Sequence, residues 1–190
     1  MKSKLIIVLM ALAFISCKNE KQTETKIESV PVNTSTENQG QASVISDGVS
    51  DANALQTAKS IDDFSTLVVA IETAGVQDAV VNVGPLTIFA PLNSAFAKLP
   101  EGTVETLLKP ESKKTLTMIL INHVAPANYG IKQLKKEARK GRKLYMASGK
   151  YLVVENKDGE IYVGGTKILK TVKVSNGWIH VIDDVLVPAE

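Results

Sequence analysis

The spacing of the apolar residues changes once along the chain, near His123, and this change constrains the fold more than any other feature. Before it, apolar residues recur three and four positions apart, as on one face of a helix. After it, they form short runs separated by turns. Asn176-Gly177 is a strong two-residue hairpin signal, and Lys157-Asp158-Gly159 is a second turn. The sequence therefore predicts a mainly helical first half around one strand, followed by a β-meander.

Local signals place the individual elements. Two helices are expected at about 52–59 and 61–74, with Ser60 and Asp63 as a capping-box-like start and Gly75 as the end. Asn93 is placed to cap the helix that follows the strand LTIFAP. Further helices are expected at VETLLK, from Pro110 through TLTMILI, and at IKQL. The expected strands of the meander are KLYMAS, KYLVVEN, EIYVGG, TKILKTVKVS and WIHVIDDVLVP.

The N-terminus has the pattern of an export signal. Residues 1–17 combine a lysine-containing start, an apolar stretch from Leu5 to Ile15 that is too short to span a bilayer, and Ser16 before Cys17. This pattern resembles a bacterial lipoprotein leader, in which the cysteine carries the lipid. The alternative is an ordinary thiol within the leader. Cys17 is the only cysteine, so an internal disulfide is excluded and core burial must stabilise the domain.

Composition separates a tether from a domain. Residues 18–50 are rich in Lys, Glu, Thr, Ser, Asn and Gln, and such a segment cannot bury enough apolar surface to offset its ordering entropy. We therefore expect a flexible polar tether at 18–50 and one domain at 51–190. The net charge of +2 is too small for a nucleic-acid-binding face. We expect no nucleic-acid partner.

Three stretches together resemble the signature regions of the fasciclin-like domain family: TIFAPLNSAFAKLP (87–100), LINHVAPANY (120–129) and SNGWIHVIDDVLVP (175–188). The resemblance covers nearly all of residues 51–190. It implies an α+β wedge, a twisted β-sandwich or barrel-like sheet with a helical cap in the N-terminal half. It also implies an extracellular adhesion or matrix-binding module without a cofactor. Asn122 stands in place of the tyrosine that commonly precedes the family's histidine, here His123.

Catalytic motifs are absent from the sequence. It has no G-x-S-x-G, no phosphate-binding glycine loop and no H-E-x-x-H, and two histidines without a cysteine in the domain do not complete a closed zinc site. Alternation along the last strand would direct Asp183 and Asp184 to opposite faces, which disfavours a carboxylate pair. His180 is expected to be buried and hydrogen-bonded, and a structural role is favoured for both histidines. We therefore expect the protein to have no enzymatic activity and to bind no metal or cofactor.

Two neighbouring segments are candidates for a partner surface. The resemblance favours the first, which contains His123, Pro126 and Tyr129. Local charge favours the second, KKEARKGRK (135–143), although a solvated helix end is the alternative. Its cations are Lys135, Lys136, Arg139, Lys140, Arg142 and Lys143.

The sequence thus predicts a non-enzymatic module, lipid-anchored on the periplasmic or surface-exposed side of a bacterial membrane, that binds a protein, glycan or matrix partner of the envelope or extracellular space. The alternative is an envelope hydrolase or small-molecule-binding protein with a pocket near His123 and Tyr129.

Overall fold

A computed structural model describes residues 52–82 and 84–188 of the chain. The predicted leader with Cys17, the predicted tether 18–50 and Asp51 lie outside the described residues. In the described part, the α-helices are α1 (Ala54–Lys59), α2 (Ser65–Ala74), α3 (Gln77–Val81), α4 (Asn93–Phe96), α5 (Thr103–Leu107), α6 (Lys113–Ile121) and α7 (Ile131–Arg139). Short 3₁₀ turns at Asp62–Phe64 and Pro110–Ser112 lead into α2 and α6. None of the described helices is long and apolar enough to cross a bilayer.

The strands form one sheet. They are β1 (Leu86–Pro91), β2 (Val124–Ala125), β3 (Lys143–Tyr145), β4 (Tyr151–Lys157), β5 (Glu160–Val163), β6 (Thr166–Val174) and β7 (Gly177–Ile182). Their order is β2-β1-β7-β6-β5-β4-β3, with β1 parallel to β7 and the other neighbours antiparallel. The N–H of Ala147, just after β3, donates to the carbonyl of Val124 in β2 at 2.7 Å. The two sheet edges therefore meet, and the sheet nearly closes into a barrel.

Strand β7 separates two apolar cores. Ile179 and Val181 belong to a core formed with the helices of the N-terminal half. Ile182 belongs to a second core with Phe89 and with Leu134 of α7. Leu134 is fully buried, and burial of such a side chain stabilises the fold by about 1.5–3 kcal/mol. The α+β class, the helical cap and the meander β3 to β7 are confirmed.

Three local predictions are wrong. Ser60 does not start a capping box, because its hydroxyl donates to the carbonyl of Thr57. The capping box instead lies at the start of α1, between Asn53 and Gln56. Asn93 does not cap α4. Its side-chain oxygen accepts from the backbone N–H of Thr66 at 3.0 Å, so it caps α2 from a distant segment.

The third wrong prediction concerns the end of the last strand. β7 stops at Ile182, and Asp183 and Asp184 lie in a bend. Strand alternation therefore does not set their directions. Their side-chain interactions set these directions instead. Asp183 forms an ion pair with Lys98, with 3.5 Å between Nζ and Oδ2, while Oδ1 of Asp184 accepts a hydrogen bond from the N–H of Val185. The two carboxylates thus have separate partners.

Candidate functional site

His123 is buried beneath the surface on which it was expected. His123 is only 3% exposed, and both of its ring nitrogens are hydrogen-bonded. Nε2 lies 2.9 Å from the backbone N of Leu186, and Nδ1 lies 2.8 Å from the carbonyl oxygen of Ile119. Because a backbone N–H only donates, Nε2 accepts and Nδ1 carries the proton. Burial lowers the pKa of His123 from 6.5 to about 4, against the opposing effect of the hydrogen bond to Ile119.

Asn122 and His123 together hold one residue of the C-terminal segment. Nδ2 of Asn122 donates to the carbonyl of Leu186 at 2.8 Å, while His123 accepts from the N–H of the same residue. Oδ1 of Asn122 accepts from the hydroxyl of Ser148 at 2.7 Å. We call this arrangement the Leu186 clamp. It gives Asn122, which stands where the family commonly has tyrosine, a structural role in joining three separate segments.

His180 is fully buried in β7. Its Nε2 donates to the carbonyl of Tyr129 at 2.7 Å, so Nδ1 is free to accept from the hydroxyl of Thr171 at 2.9 Å. The ring stacks on Phe89 with 5.5 Å between centroids. Burial lowers the pKa of His180, and the hydrogen bond to Tyr129 opposes the shift. The predicted burial and hydrogen bonding of His180 are confirmed.

The interior next to His123 offers little space. The cavity beside it is about 20 Å³ in volume and is lined mainly by apolar residues from α2, α3, α6 and β1. A cavity of that volume can hold about one water molecule and is too small for a substrate. Among residues 52–82 and 84–188, no group of three His, Cys, Asp or Glu side chains is placed to hold a metal ion.

The remaining predicted residues lie on or close to the surface. Pro126 is exposed, and Tyr129 is half-buried, with its ring against the second core. The backbone N–H of Tyr129 donates to the hydroxyl of Thr87 at 2.9 Å. The predicted cations Lys135, Lys136, Arg139, Lys140, Arg142 and Lys143 are all exposed. His123 is thus the one residue of the predicted interaction set that a partner cannot reach directly.

Helix α7 presents a one-sided row of cations. Lys132 lies outside the predicted basic run, but it is exposed, and its three- and four-residue spacing from Lys135 and Lys136 places it on the same side of the helix. We call these five side chains the α7 cationic face: Lys132, Lys135, Lys136, Arg139 and Lys140. None of them forms an ion pair with another described residue. The opposite side of α7 packs on β4 and β5.

The single acid of the basic run is removed from this face. The side chain of Glu137 is only 8% exposed, and one oxygen accepts from Nε2 of Gln133. The other lies 3.6 Å from NH1 of Arg142. Glu137 therefore compensates Arg142, which lies beyond the helix, rather than a cation of the α7 cationic face.

A groove of about 500 Å³ lies between β7 and the first turn of α7. We call it the Trp178 groove; its lining residues are Asn128, Gly130, Ile131, Lys132, Gln133 and Trp178. From the sequence, Trp178 is predicted only as a residue of the last strand. The available signal was a lone tryptophan, one position after a hairpin glycine, in a strand otherwise made of aliphatic residues and histidine.

A second groove, of about 560 Å³, is lined mainly by β4, the two glycines that follow β5 and the C-terminal segment. Its wall includes three exposed apolar side chains: Tyr151, Val153 and Val187. The ring of Tyr151 also contacts that of Tyr145, with 5.3 Å between centroids. None of the predicted interaction residues lines this groove.

Comparison with solved structures identifies the fold. The structure is similar to a FAS1 domain pair from the insect cell adhesion molecule Fasciclin I, with a TM-score of 0.65 and 22% sequence identity. The match covers 74% of this chain and 52% of that chain, so this chain spans about half of the domain pair. At this identity the similarity establishes the fold, which is the FAS1 fold.

Sequence comparison establishes the family. The model described as Fasciclin domain matches residues 62–188, and the chain belongs to the fasciclin domain family. Protein sll1483 of Synechocystis sp. is 39% identical over 150 residues, which cover 77% of this chain and 81% of that protein. Human periostin is 30% identical over 131 residues, which cover 67% of this chain and 15% of periostin. The predicted family is confirmed.

Proposed function

We propose that this protein is an adhesion module of a bacterial cell envelope, held to the membrane by a lipid on Cys17, and that its α7 cationic face binds an anionic partner outside the membrane. The observation that carries this proposal is the α7 cationic face itself. It places five unpaired cations on one exposed side of a single helix. Clustered charge of one sign raises the association rate of an oppositely charged partner.

The fold supports this role by making the surface rigid. Leu134 is fully buried between α7 and the sheet, and Ile131 packs against the same core. The cations therefore extend from a helix that is ordered before a partner arrives. A preorganised surface loses less conformational entropy on binding, which leaves more of the interaction energy for affinity.

The similarity to known proteins also supports a role in adhesion. The chain belongs to the fasciclin domain family, and the solved structure with the same fold comes from a protein described as a cell adhesion molecule. The domain that matches here occupies residues 62–188. A preceding polar tether and lipid would hold this domain at a distance from the membrane.

The geometry of the histidines favours a binding protein over the alternative, an envelope hydrolase or small-molecule-binding protein with a pocket near His123 and Tyr129. A general base needs a nitrogen within hydrogen-bond reach of its substrate. Both nitrogens of His123 and of His180 instead face protein groups, and the cavity at His123 has a volume of about 20 Å³.

Membrane attachment follows from the leader. A single acyl chain gives only marginal binding, so stable anchoring at Cys17 requires more than one chain. The anchor and the binding surface lie in different parts of the sequence. They can therefore be removed separately.

Attachment of cells that display the full chain tests the proposal. We expect these cells to bind a surface coated with envelope and matrix material, and cells without the protein to bind less. The double variant Lys136→Glu/Arg139→Glu should lose most of the difference. The control Lys109→Glu/Lys114→Glu changes the net charge equally at exposed positions outside α7, and should attach like the wild type. Equal attachment by all four cell types would refute the proposal.

A further inference from the structure

Trp178 is held in one orientation at the edge of the fold. Its indole N–H donates to Oδ1 of Asn128, and the ring lies directly against Gly130. A side chain at position 130 would come within 3.0 Å of the ring, so the absence of a Cβ allows this close approach. The ring remains half-exposed and forms a wall of the Trp178 groove. An aromatic side chain that is fixed yet accessible is ready to stack on a ligand without further ordering.

The orientation of Asn128 follows from the same bond. An indole N–H can only donate, so the oxygen of the Asn128 amide must face Trp178. The amide NH₂ is therefore directed away from the indole, and within the described residues it donates to no protein acceptor. Asn128 is exposed and lines the groove. The groove thus offers hydrogen-bond donors beside an aromatic wall.

Two cations flank this aromatic wall. Lys132 lines the groove from α7. Lys173 lies directly opposite Trp178 in the antiparallel β6–β7 register, which places both side chains on the same face of the sheet. Both lysines are exposed, and no acid lines the groove. The α7 cationic face begins at Lys132 and extends about 12 Å along the helix to Lys140, at a rise of 1.5 Å per residue.

These groups together fit a ligand with a flat apolar face, hydroxyl or carbonyl acceptors and negative charge. We propose that the Trp178 groove binds a carboxylate-bearing sugar residue of an acidic polysaccharide, and that the polymer continues along the α7 cationic face. The sugar face stacks on the indole, Asn128 donates to a ring substituent, and Lys132 and Lys173 pair with the carboxylate. The inference rests on the proposed function, because it names the anionic partner of that surface.

Two other anionic partners fit less well. The first is an anionic lipid surface. A helix that binds at such a surface inserts an apolar face into the lipid boundary, but the apolar residues of α7 are directed into the protein core, with Leu134 fully buried. Single-stranded nucleic acid is bound by several stacked aromatic side chains along a basic channel. Here Trp178 is the chain's only tryptophan, and the other aromatic side chain nearby, Tyr129, is half-buried against the core.

The emission of Trp178 provides a direct test, because no other tryptophan contributes to the signal. The full chain is reconstituted in phosphatidylcholine nanodiscs and titrated with oligo-alginate, a polymer of uronic acids. We expect a saturable shift in emission, and no shift with neutral dextran. Lys132→Glu/Lys173→Glu should raise the half-saturating concentration at least about tenfold. The control Lys109→Glu/Lys114→Glu should leave it within about twofold of the wild-type value.

Four outcomes would overturn the inference: emission that does not respond to oligo-alginate, an equal response to dextran, saturation by single-stranded DNA at a lower concentration, or a shift caused by phosphatidylglycerol nanodiscs alone. The proposed function is tested separately, by the cell-attachment experiment. If cell attachment depends on Lys136 and Arg139 but the emission of Trp178 does not respond to oligo-alginate, the groove inference fails and the adhesion function stands. If Trp178 responds but cells do not attach, the adhesion function fails.

Discussion

Acidification should destabilise this protein through His123. The ring accepts from the N–H of Leu186, so a proton on Nε2 would set two donors against each other inside the core. Burial lowers the pKa of His123 in the folded protein from 6.5 to about 4. In the unfolded chain the ring returns to its ordinary value. Between these two values the unfolded state binds more protons than the folded state, so stability falls as the pH falls.

The magnitude follows from the two pKa values. Above pH 6.5 the ring is neutral in both states, and the stabilising effect of the neutral ring is fully present. Linkage gives a loss of about 2 kcal/mol in the free energy of unfolding by pH 5, and about 3 kcal/mol once the pH passes below the folded value. The pKa of His180 is also lowered by burial, so His180 adds to the loss with the same sign.

Urea unfolding between pH 7.5 and pH 5, followed by circular dichroism, measures this effect in the range above the ordinary pKa values of carboxylates. His123→Gln is the matched variant, because an amide donates and accepts without titrating. We expect the variant to be less stable than the wild type at pH 7.5, by about 1–3 kcal/mol, but to lose less stability on acidification. Equal losses in the wild type and the variant would refute the assignment to His123.

Three further predictions concern separate parts of the chain. Cys17→Ala should release the protein from membranes, and an unlipidated, soluble wild type after export would contradict the predicted anchor. His180→Ala should lower stability by about 1–3 kcal/mol through the lost hydrogen bonds and packing, while the folded fraction attaches normally; lost attachment with an unchanged melting temperature would overturn its structural role. Gly130→Ala should displace the indole of Trp178 and shift its emission, and an unchanged spectrum would show that the ring does not depend on this glycine.

Local patterns were sufficient to predict much of the fold. The stop at Gly75, where the chain takes a left-handed conformation with φ of 71°, depends only on neighbouring residues. The hairpin between β6 and β7 forms as expected, but its two turn residues are Ser175 and Asn176, and Gly177 is the first residue of β7, opposite Val174. Asn93 shows the limit of this reasoning, since its amide caps a helix 27 positions earlier and no local signal indicates that partner.

The candidate site was harder to predict from the sequence than the fold, because it depends more strongly on tertiary structure. The sequence identified the cations of the basic run, because charge clusters are visible in one dimension. It could not show that Glu137 is buried and compensated by Arg142, which makes the exposed side of α7 wholly cationic. Nor could it show the Trp178 groove, because Asn128 and Trp178 lie 50 positions apart and meet only in the folded sheet, where β1 lies between β2 and β7.

The rate of attachment as a function of salt tests the central claim, adhesion through the α7 cationic face, most directly. The full chain in phosphatidylcholine nanodiscs is passed over immobilised envelope and matrix material, and the association rate constant is measured as ionic strength rises. Exposed charges are screened over about 8–10 Å at physiological ionic strength, so we expect association to slow with salt. We also expect Lys136→Glu/Arg139→Glu to associate slowly even at low salt, and Lys109→Glu/Lys114→Glu to follow the wild type. A rate indifferent both to salt and to reversal of the α7 charges would contradict the account.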